Sequence, residues 1–398
     1  MHALLLTIFI DTVGFGIVLP LLPFFAEKFG ASPLQVTLLA TVYSFAQFLL
    51  APVWGRLSDR WGRRPVILFT LAGLVLGYFW LTLAESLMAL FLARAFTGAM
   101  ASNNGVISAY ITDITSIEDR ARGMGRVGAA HGLGFIVGPA IGGVFAGSDP
   151  VNPDLQLPFL IAAGLSLTAF LIATIQVRET VTEETRRETA ARGQRNVFRV
   201  FWEAIGLPQL GLLLLLLTMT PFVFSAVETT FVMWSERALG WGPMQNGQIY
   251  TFMGLVAAAT QWFLVGRLTR RFGEHRLIRA GAVLIGIGVF MLPFMTGPVG
   301  LCISFGFIVF GVSINNPSLN SLISQYAAPG ERGSLLGVSS SCSALARITG
   351  PAWGGFAFGA FGRDWPFLSS AIVMLLMLCL ALRLKPRNMV SGRDGREI

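Results

Sequence analysis

Twelve long apolar stretches, separated by short charged or Pro/Gly-rich breaks, occupy most of this 398-residue chain. A helix needs about 20 apolar residues to cross a bilayer. Hydrophobic residues make up 54% of the chain and charged residues 13%, which leaves no room for a large water-soluble domain. We therefore predict an all-α, polytopic membrane protein with twelve transmembrane helices. The predicted spans lie near residues 3–25, 33–55, 66–84, 87–112, 125–147, 157–177, 207–233, 244–265, 278–296, 299–325, 333–359 and 365–384.

Positive charges are distributed unevenly around these spans. If the N-terminus is cytoplasmic, 24 of the 29 Lys and Arg residues lie on the cytoplasmic side, and Arg94 and Arg347 fall within spans. The opposite side holds only Lys28, Arg237 and Arg363. This is the positive-inside pattern, so we expect both termini in the cytoplasm. The net charge of +8 therefore indicates orientation, and we expect no nucleic-acid partner.

The chain also contains an internal repeat, at a shift of about 212 residues. This shift places Gly138-Pro139 over Gly350-Pro351. Because six spans separate the two copies, the halves share one orientation and should surround a central cavity, as in a transporter. We predict six-helix bundles at 1–177 and 207–384, a cytoplasmic linker at 178–206 and a cytoplasmic tail at 385–398. The linker is polar and charged, so we expect a partly helical tether without a ligand.

Several motifs resemble signatures of the major facilitator superfamily, and the resemblance covers essentially the whole chain. The loop at residues 55–64, GRLSDRWGRR, is similar to that superfamily's G-x-L-x-D-R-x-G-R-[KR] signature. Residues 134–143 resemble the G-x-x-x-G-P-x-x-G-G element of its antiporters, and Arg94 with Gly98 resembles its R-x-x-x-G helix. Residues 11–23 resemble the first span of twelve-span drug:proton antiporters, nearest the tetracycline-exporter branch. The resemblance implies a multi-pass protein of the bacterial inner membrane.

Asp11 and Arg94 are the candidate proton-coupling residues. Asp11 lies about 14 Å into the first span, where low polarity favours the neutral acid, so it can take up and release a proton. The alternative is a carboxylate kept permanently ionised by a neighbouring arginine or by backbone donors. For Arg94, the resemblance implies that it tunes the protonation of the acidic site. The alternative is a fixed arginine that caps the carbonyl groups of a neighbouring helix.

Asp59 and Arg63 in the second-to-third loop, with Asp113 at the cytoplasmic end of the fourth span, form a candidate conformational latch. The resemblance implies this role. A charge network of this kind can hold one arrangement of the bundles and break in the other. The alternative is that the arginines of this loop only bind anionic lipid headgroups.

Residues of the fifth span are predicted to pack closely against neighbouring helices and to seal the outer side of the cavity. Small residues at helical spacing let two backbones approach, and proline bends the helix. The residues are Gly134, Gly138, Pro139, Gly142 and Gly143.

Other polar residues inside the spans are candidates for lining the substrate cavity. The asparagines in this group could instead join neighbouring helices. Arg347 requires a partner, and Glu228 is one possibility. The candidates are Tyr43, Gln47, Asn103, Asn104, His131, Gln248, Asn315, Asn316 and Arg347.

These features favour a proton-driven exporter of hydrophobic or amphipathic small molecules over an enzyme. The chain contains no H-E-x-x-H or G-x-S-x-G motif and no P-loop, and its cysteines do not have metal-binding spacing. We expect no cofactor and no metal, and a monomer whose partners are protons, the substrate and the lipid bilayer. A carrier of a dedicated metabolite or lipid, or a receptor that transports nothing, remains the alternative. Tetracycline itself is a poor candidate, because Gly77 and Tyr78 stand where the tetracycline exporters carry an acidic residue.

Overall fold

The computed structural model describes residues 2–116, 119–181, 206–326 and 332–384. Within these ranges the chain folds into helices without a strand. Eight helices are long and apolar enough to cross a membrane, and the first two helices together form a further span that bends by 41°. Four further helices supply the remaining three of the predicted twelve spans, because one of these spans consists of two helices. The predicted tail at 385–398 and most of the predicted linker at 178–206 lie outside the described residues.

Each half contributes six spans. The first half comprises α1 (His2–Val18), α2 (Leu22–Lys28), α3 (Pro33–Trp61), α4 (Arg63–Thr82), α5 (Leu87–Met100), α6 (Asn104–Ile114), α7 (Arg120–Ala146) and α8 (Gln156–Gln176). The second half comprises α9 (Pro208–Leu239), α10 (Pro243–Ala259), α11 (Val265–Phe272), α12 (Glu274–Met291), α13 (Pro298–Gln325), α14 (Arg332–Phe361) and α15 (Trp365–Ala381). A π-helical turn, Thr260–Leu264, joins α10 to α11, and a 3-10 turn, Leu292–Phe294, follows α12.

Two of the predicted spans are broken. We expect Pro20 and Pro23 to bend the outer half of the first span, and it breaks there, between α1 and α2, because proline cannot continue the helical hydrogen-bond pattern. The fourth, predicted at 87–112, breaks between α5 and α6. Side chains of α3 satisfy carbonyl groups at this break, since Trp54 donates to the Ala99 oxygen at 2.7 Å and Gln47 to that of Ala101 at 3.2 Å. A break within a membrane is tolerated when the freed backbone groups find such partners.

Glycines allow α7 to contact α1 at backbone distance. A Cβ atom at Gly138 would lie 2.6 Å from the carbonyl oxygen of Val13, and a Cβ atom at Gly142 would lie 2.6 Å from that of Ile17. Both distances are shorter than van der Waals contact, so only glycine fits. Gly143 faces α10 in the second half, where a Cβ atom would lie 2.9 Å from the Pro243 carbonyl oxygen.

The two halves meet on the side of the molecule opposite the linker, which we call the far side. The linker side is the end at which α8 ends and α9 begins. On the far side, the Met244 amide donates to the Gly147 carbonyl at 3.0 Å. Arg237 pairs with Glu27 at 3.0 Å. The backbone of α14 at Gly355 also packs against the first turn of α3. The far side is therefore closed.

Glycines nearer the linker side of these helices make no comparable close contact. A Cβ atom at Gly55 of α3, Gly125 of α7, Gly266 of α11 or Gly337 of α14 would meet no described atom within 4 Å. These linker-side positions are therefore not packed against another described helix, in contrast to Gly143 and Gly355 on the far side.

We expect Gly143→Val to open the far side, because its side chain would press on the backbone of α10 and overpacking of this kind costs about 1–3 kcal/mol. The measurement is the electron spin-echo distance between labels on Val151→Cys and Val299→Cys, which are 80% and 72% exposed in the wild-type protein. The background replaces Cys302, Cys342 and Cys379 by alanine. The labels should move apart.

Gly128→Val is the matched control, because a Cβ atom at Gly128 of the same helix would meet nothing within 4 Å. Its label distances should equal those of the parent. Unchanged distances in Gly143→Val would contradict a seal at this glycine.

Candidate functional site

Tyr43 of α3 covers the buried guanidinium of Arg94 in α5. The Arg94 Cζ atom lies 4.2 Å from the centroid of the Tyr43 ring, which is a cation–π contact. The Arg94 side chain is only 1% exposed, and its Nε atom has no hydrogen-bond partner. A Cβ atom at Gly98, one turn after Arg94, would clash with the Tyr43 backbone. Glycine at this position is what brings α5 close enough for the contact.

Asp11 of α1 lies beside this pair. It interacts electrostatically with Tyr43 and with Tyr78 of α4, whose ring packs against α1 at Gly14. Its Oδ1 atom is buried without a hydrogen-bond partner. The described ion pairs within 4.0 Å do not include one between Asp11 and Arg94. The proposed alternative, an aspartate held ionised by an arginine, is therefore not present in this arrangement.

The predicted latch residues meet at the linker side of the first half. Arg63 contacts Asp59 at 2.5 Å through Nη1 and Asp113 at 3.3 Å through Nε. The cluster joins the end of α3, the start of α4 and the end of α6. All three residues belong to the first half, so the cluster fixes the shape of that half.

Glu179, just after α8, completes this cluster, and the sequence reasoning missed it. Its carboxylate accepts the backbone N–H groups of Arg63 at 2.9 Å and Arg64 at 3.2 Å, which lie at the start of α4. The neighbouring Thr180 hydroxyl donates to Asp113 at 2.9 Å. Burial acts to raise the pKa of Glu179, but hydrogen bonds from backbone N–H groups outweigh it and the pKa falls below its usual range. The start of the predicted tether is thus bound to the first half.

Two of the asparagines among the cavity candidates join neighbouring helices, which is the alternative that the sequence favoured for them. Asn103 is buried and donates to the Thr70 hydroxyl of α4 at 3.1 Å, while Asn315 is buried and donates to the Ile278 carbonyl of α12 at 3.3 Å. The repeated positions make equivalent contacts in the two halves. Their neighbours differ, since Asn104 is exposed and Asn316 is partly buried.

Three further cavity candidates either bond to the protein backbone or lie on an outer face of their helix. Gln47 donates to the backbone at the break in the fourth span. The Nδ1 atom of His131 lies 3.0 Å from the Val127 carbonyl of its own helix. Gln248 shares an exposed helix face with Leu255 and Trp262, two apolar residues that suit a lipid-facing surface. Helical position alone does not reveal these contacts, because each depends on a neighbouring turn or helix.

Arg347 and Glu228 form a second group of charges, in the second half. They interact electrostatically, and Arg347 also interacts with Tyr43 across the boundary between the halves. The described ion pairs within 4.0 Å do not join them. Glu228 borders a small pocket on the far side, with Leu19 and Val36 of the first half. Charged groups of both halves therefore face the space between them.

A profile described as Major Facilitator Superfamily matches residues 4–351 and 263–397. The chain belongs to this superfamily. It is 31% identical over 374 residues to the class E tetracycline resistance protein of Escherichia coli, covering 91% of this chain and 88% of that protein. It is 28% identical over 395 residues to Multidrug resistance protein 2 of Bacillus subtilis (strain 168), covering 97% and 95%. These relatives agree with the predicted drug-antiporter branch.

Solved structures of superfamily members share the fold. The human organic anion transporter MFSD10 (TETRAN) has a TM-score of 0.70 at 23% identity, covering 96% of this chain and 98% of that one. A bacterial homolog of the human lysosomal transporter Spinster, in an inward-facing and unoccupied conformation, has a TM-score of 0.80 at 15% identity, covering 96% and 95%. The twelve-helix architecture predicted from the sequence is confirmed.

We expect Glu179→Gln to loosen the start of α4, because the variant loses the charge that the N–H groups of Arg63 and Arg64 bind. Exchange of these two amides with deuterium should accelerate by up to about fivefold, since exposed charge interactions contribute at most about 1 kcal/mol. In the wild-type protein, protection of these amides from exchange should be complete at pH values above 4.5, the ordinary pKa of Glu. It should be lost as the pH falls through the pKa of Glu179 in the folded protein, which is lower. The variant should show no such pH dependence.

Glu85→Gln, on an exposed loop, is the control and should leave these amides unchanged. Equal exchange in the wild-type protein and Glu179→Gln, at every pH, would contradict the assigned contact.

Proposed function

We propose that this protein exports hydrophobic or amphipathic small molecules in exchange for protons, by alternating access. The observation that carries the proposal is the buried Oδ1 atom of Asp11, which has no hydrogen-bond partner. We infer that the space beside it is closed on the far side, where the halves are in contact, and reached from the linker side. The named resistance functions of the relatives support export. In this role the protein is a carrier and catalyses no reaction.

The charge distribution supports a cytoplasmic linker side, with both termini in the cytoplasm. The bacterial relatives support the inner membrane as its location. The structure then corresponds to the state that is open to the cytoplasm. We propose that the monomer is the working unit, with the substrate and protons as its ligands and the bilayer as its surroundings.

In the proposed cycle, Asp11 takes a proton when the far side opens and releases it on the linker side. Tyr43, which interacts with both Asp11 and Arg94, links the two charges, and we propose that through it Arg94 sets the polarity around the carboxyl. A proton that moves inward gains about 2.3 kcal/mol per 100 mV of membrane potential. That free energy supports a substrate gradient of more than tenfold for each proton.

The cluster of Asp59, Arg63 and Asp113 is proposed to control the change between states. It holds the linker-side ends of α3, α4 and α6 together in the open arrangement. When that side closes, α3 must approach α14, and we propose that the cluster rearranges as it does so. A change of a few kcal/mol is enough to shift the populations of two such states.

We expect Asp11→Asn to abolish transport driven by a pH gradient, because the amide cannot carry a proton. The measurement is flux of ethidium, tetracycline and 1-pyrenebutyrate in proteoliposomes, with the gradient imposed in either direction. The exposed Glu85→Gln serves as the matched control and should retain full flux. If the wild-type protein transports none of the three probes in response to the gradient, proton-coupled export is contradicted. If Asp11→Asn transports a probe as fast as the wild-type protein does, Asp11 has no part in the mechanism.

Asp59→Asn should slow turnover by about tenfold while ligand affinity changes little, because the cluster acts on the switch between states and lies at the linker-side end of the helices. Transport rates and equilibrium binding are measured on the same preparation. Asp119→Asn removes a different ion pair, that with Arg122 at 3.2 Å, which is 59–73% exposed and should have little effect on either quantity. Weakened binding with normal turnover would contradict the assigned role.

A further inference from the structure

The guanidinium of Arg347 is an unusual feature of the space between the halves. Arg347 lies midway along the 30-residue helix α14, and its side chain is exposed. Within the described chain it has electrostatic neighbours, Tyr43 and Glu228, but no hydrogen bond or ion pair. A cation at this depth is costly unless it faces water or a counter-ion. The guanidinium of Arg347 is therefore available to bind a negatively charged group of a ligand.

The contacts of α14 show that this side chain faces the space between the halves. The next residue, Ile348, accepts a hydrogen bond from the Thr41 hydroxyl of α3 at 3.1 Å, so this part of α14 adjoins the first half. The apolar Leu345 and Phe356 are 51% and 47% exposed, and helical spacing places them on the opposite side from Arg347. That apolar side suits lipid, which leaves Arg347 directed towards the cavity.

An aromatic surface lies on the first half, on the other side of this space. The Phe15 ring of α1 lies 5.3 Å from that of Tyr43 and 5.7 Å from that of Phe135 in α7. Phe135 is 40% exposed. Thr41, two residues before Tyr43, bonds to Ile348, the residue after Arg347, so the aromatic surface and the guanidinium border the same contact between the halves.

The remaining charges within the spans leave Arg347 as the most accessible one. Arg94 is covered by Tyr43 and is 1% exposed. Asp11 and Glu228 are partly buried. A cationic ligand would meet the exposed guanidinium, and repulsion of like charges is an effective means of rejecting a ligand.

We propose that the substrate is an aromatic organic anion, with its acidic group bound by Arg347 and its ring packed on Phe15 and Phe135. This inference rests on the proposed export function and adds the chemical class of the substrate. Arg347 provides two parallel N–H donors that match a carboxylate. Glu228, whose charge also interacts with Arg347, forms no ion pair with it among the described residues and leaves the guanidinium available.

The test compares three probes that share one ring system and differ in charge. These are 1-pyrenebutyrate, its uncharged amide and 4-(1-pyrenyl)butylamine. Binding to the purified full-length protein is measured by fluorescence anisotropy at neutral pH. The wild-type protein should bind the carboxylate at least tenfold more tightly than the amide, and the ammonium probe most weakly.

In Arg347→Gln, affinity for the carboxylate should fall by about 10- to 100-fold, to the level of the amide, because a charge-paired contact is lost. Affinity for the amide should not change, which shows that the variant is folded. Arg347→Lys should retain part of the preference. Arg383→Gln, which alters an exposed arginine after α15, should bind all three probes like the wild-type protein.

Equal wild-type affinity for the three probes, preference for the ammonium probe, or an equal loss of carboxylate and amide binding in Arg347→Gln would overturn this assignment. Each of these results leaves proton-driven flux intact and so spares the proposed function. Absence of any proton-driven flux would overturn the proposed function whichever probe binds.

Discussion

A charged side chain inside a bilayer must face water, a partner or the interior of the protein, and this constraint determines where the site can lie. Asp11, Arg94 and Arg347 come from helices of both halves and interact with Tyr43, while Glu228 interacts with Arg347. Lipid can therefore cover the outer faces of both bundles, while ionisable groups occupy the space between them. Proton-coupled transport can follow from this arrangement, because the charged groups between the halves become accessible from one side of the membrane at a time.

Glycine contacts supply the movable part of this arrangement. Backbones of α7 and α10 touch at Gly143, and this contact belongs to a far side that is closed. Contacts between backbones without interlocking side chains can separate and re-form when two rigid bodies rock. The ion cluster around Arg63, with Glu179 bound to the start of α4, gives the first half a defined shape on the open side. In this account the glycine contacts seal the far side, and the ion pairs on the linker side control the change between states.

The sequence was informative wherever a requirement is local. Apolar length located the spans. The family resemblance implied that Asp59 and Arg63 of the loop motif group with Asp113, and their ion pairs in the structure join all three. The sequence failed where a partner comes from another helix. Glu179 follows a span like many surface acids, and nothing in its neighbours indicates that it binds the start of α4. The break in the fourth span depends on Gln47 and Trp54, which lie in another helix.

The central claim is that the protonation of Asp11 selects between the two arrangements of the bundles. Its most direct test is the spin-label distance across the far side, recorded as a function of pH in the wild-type protein and in Asp11→Asn. The account predicts that the populations of closed and open far side change with pH in the wild-type protein and are independent of pH in the variant. A variant that keeps the wild-type pH response, or a wild-type protein without one, would contradict it.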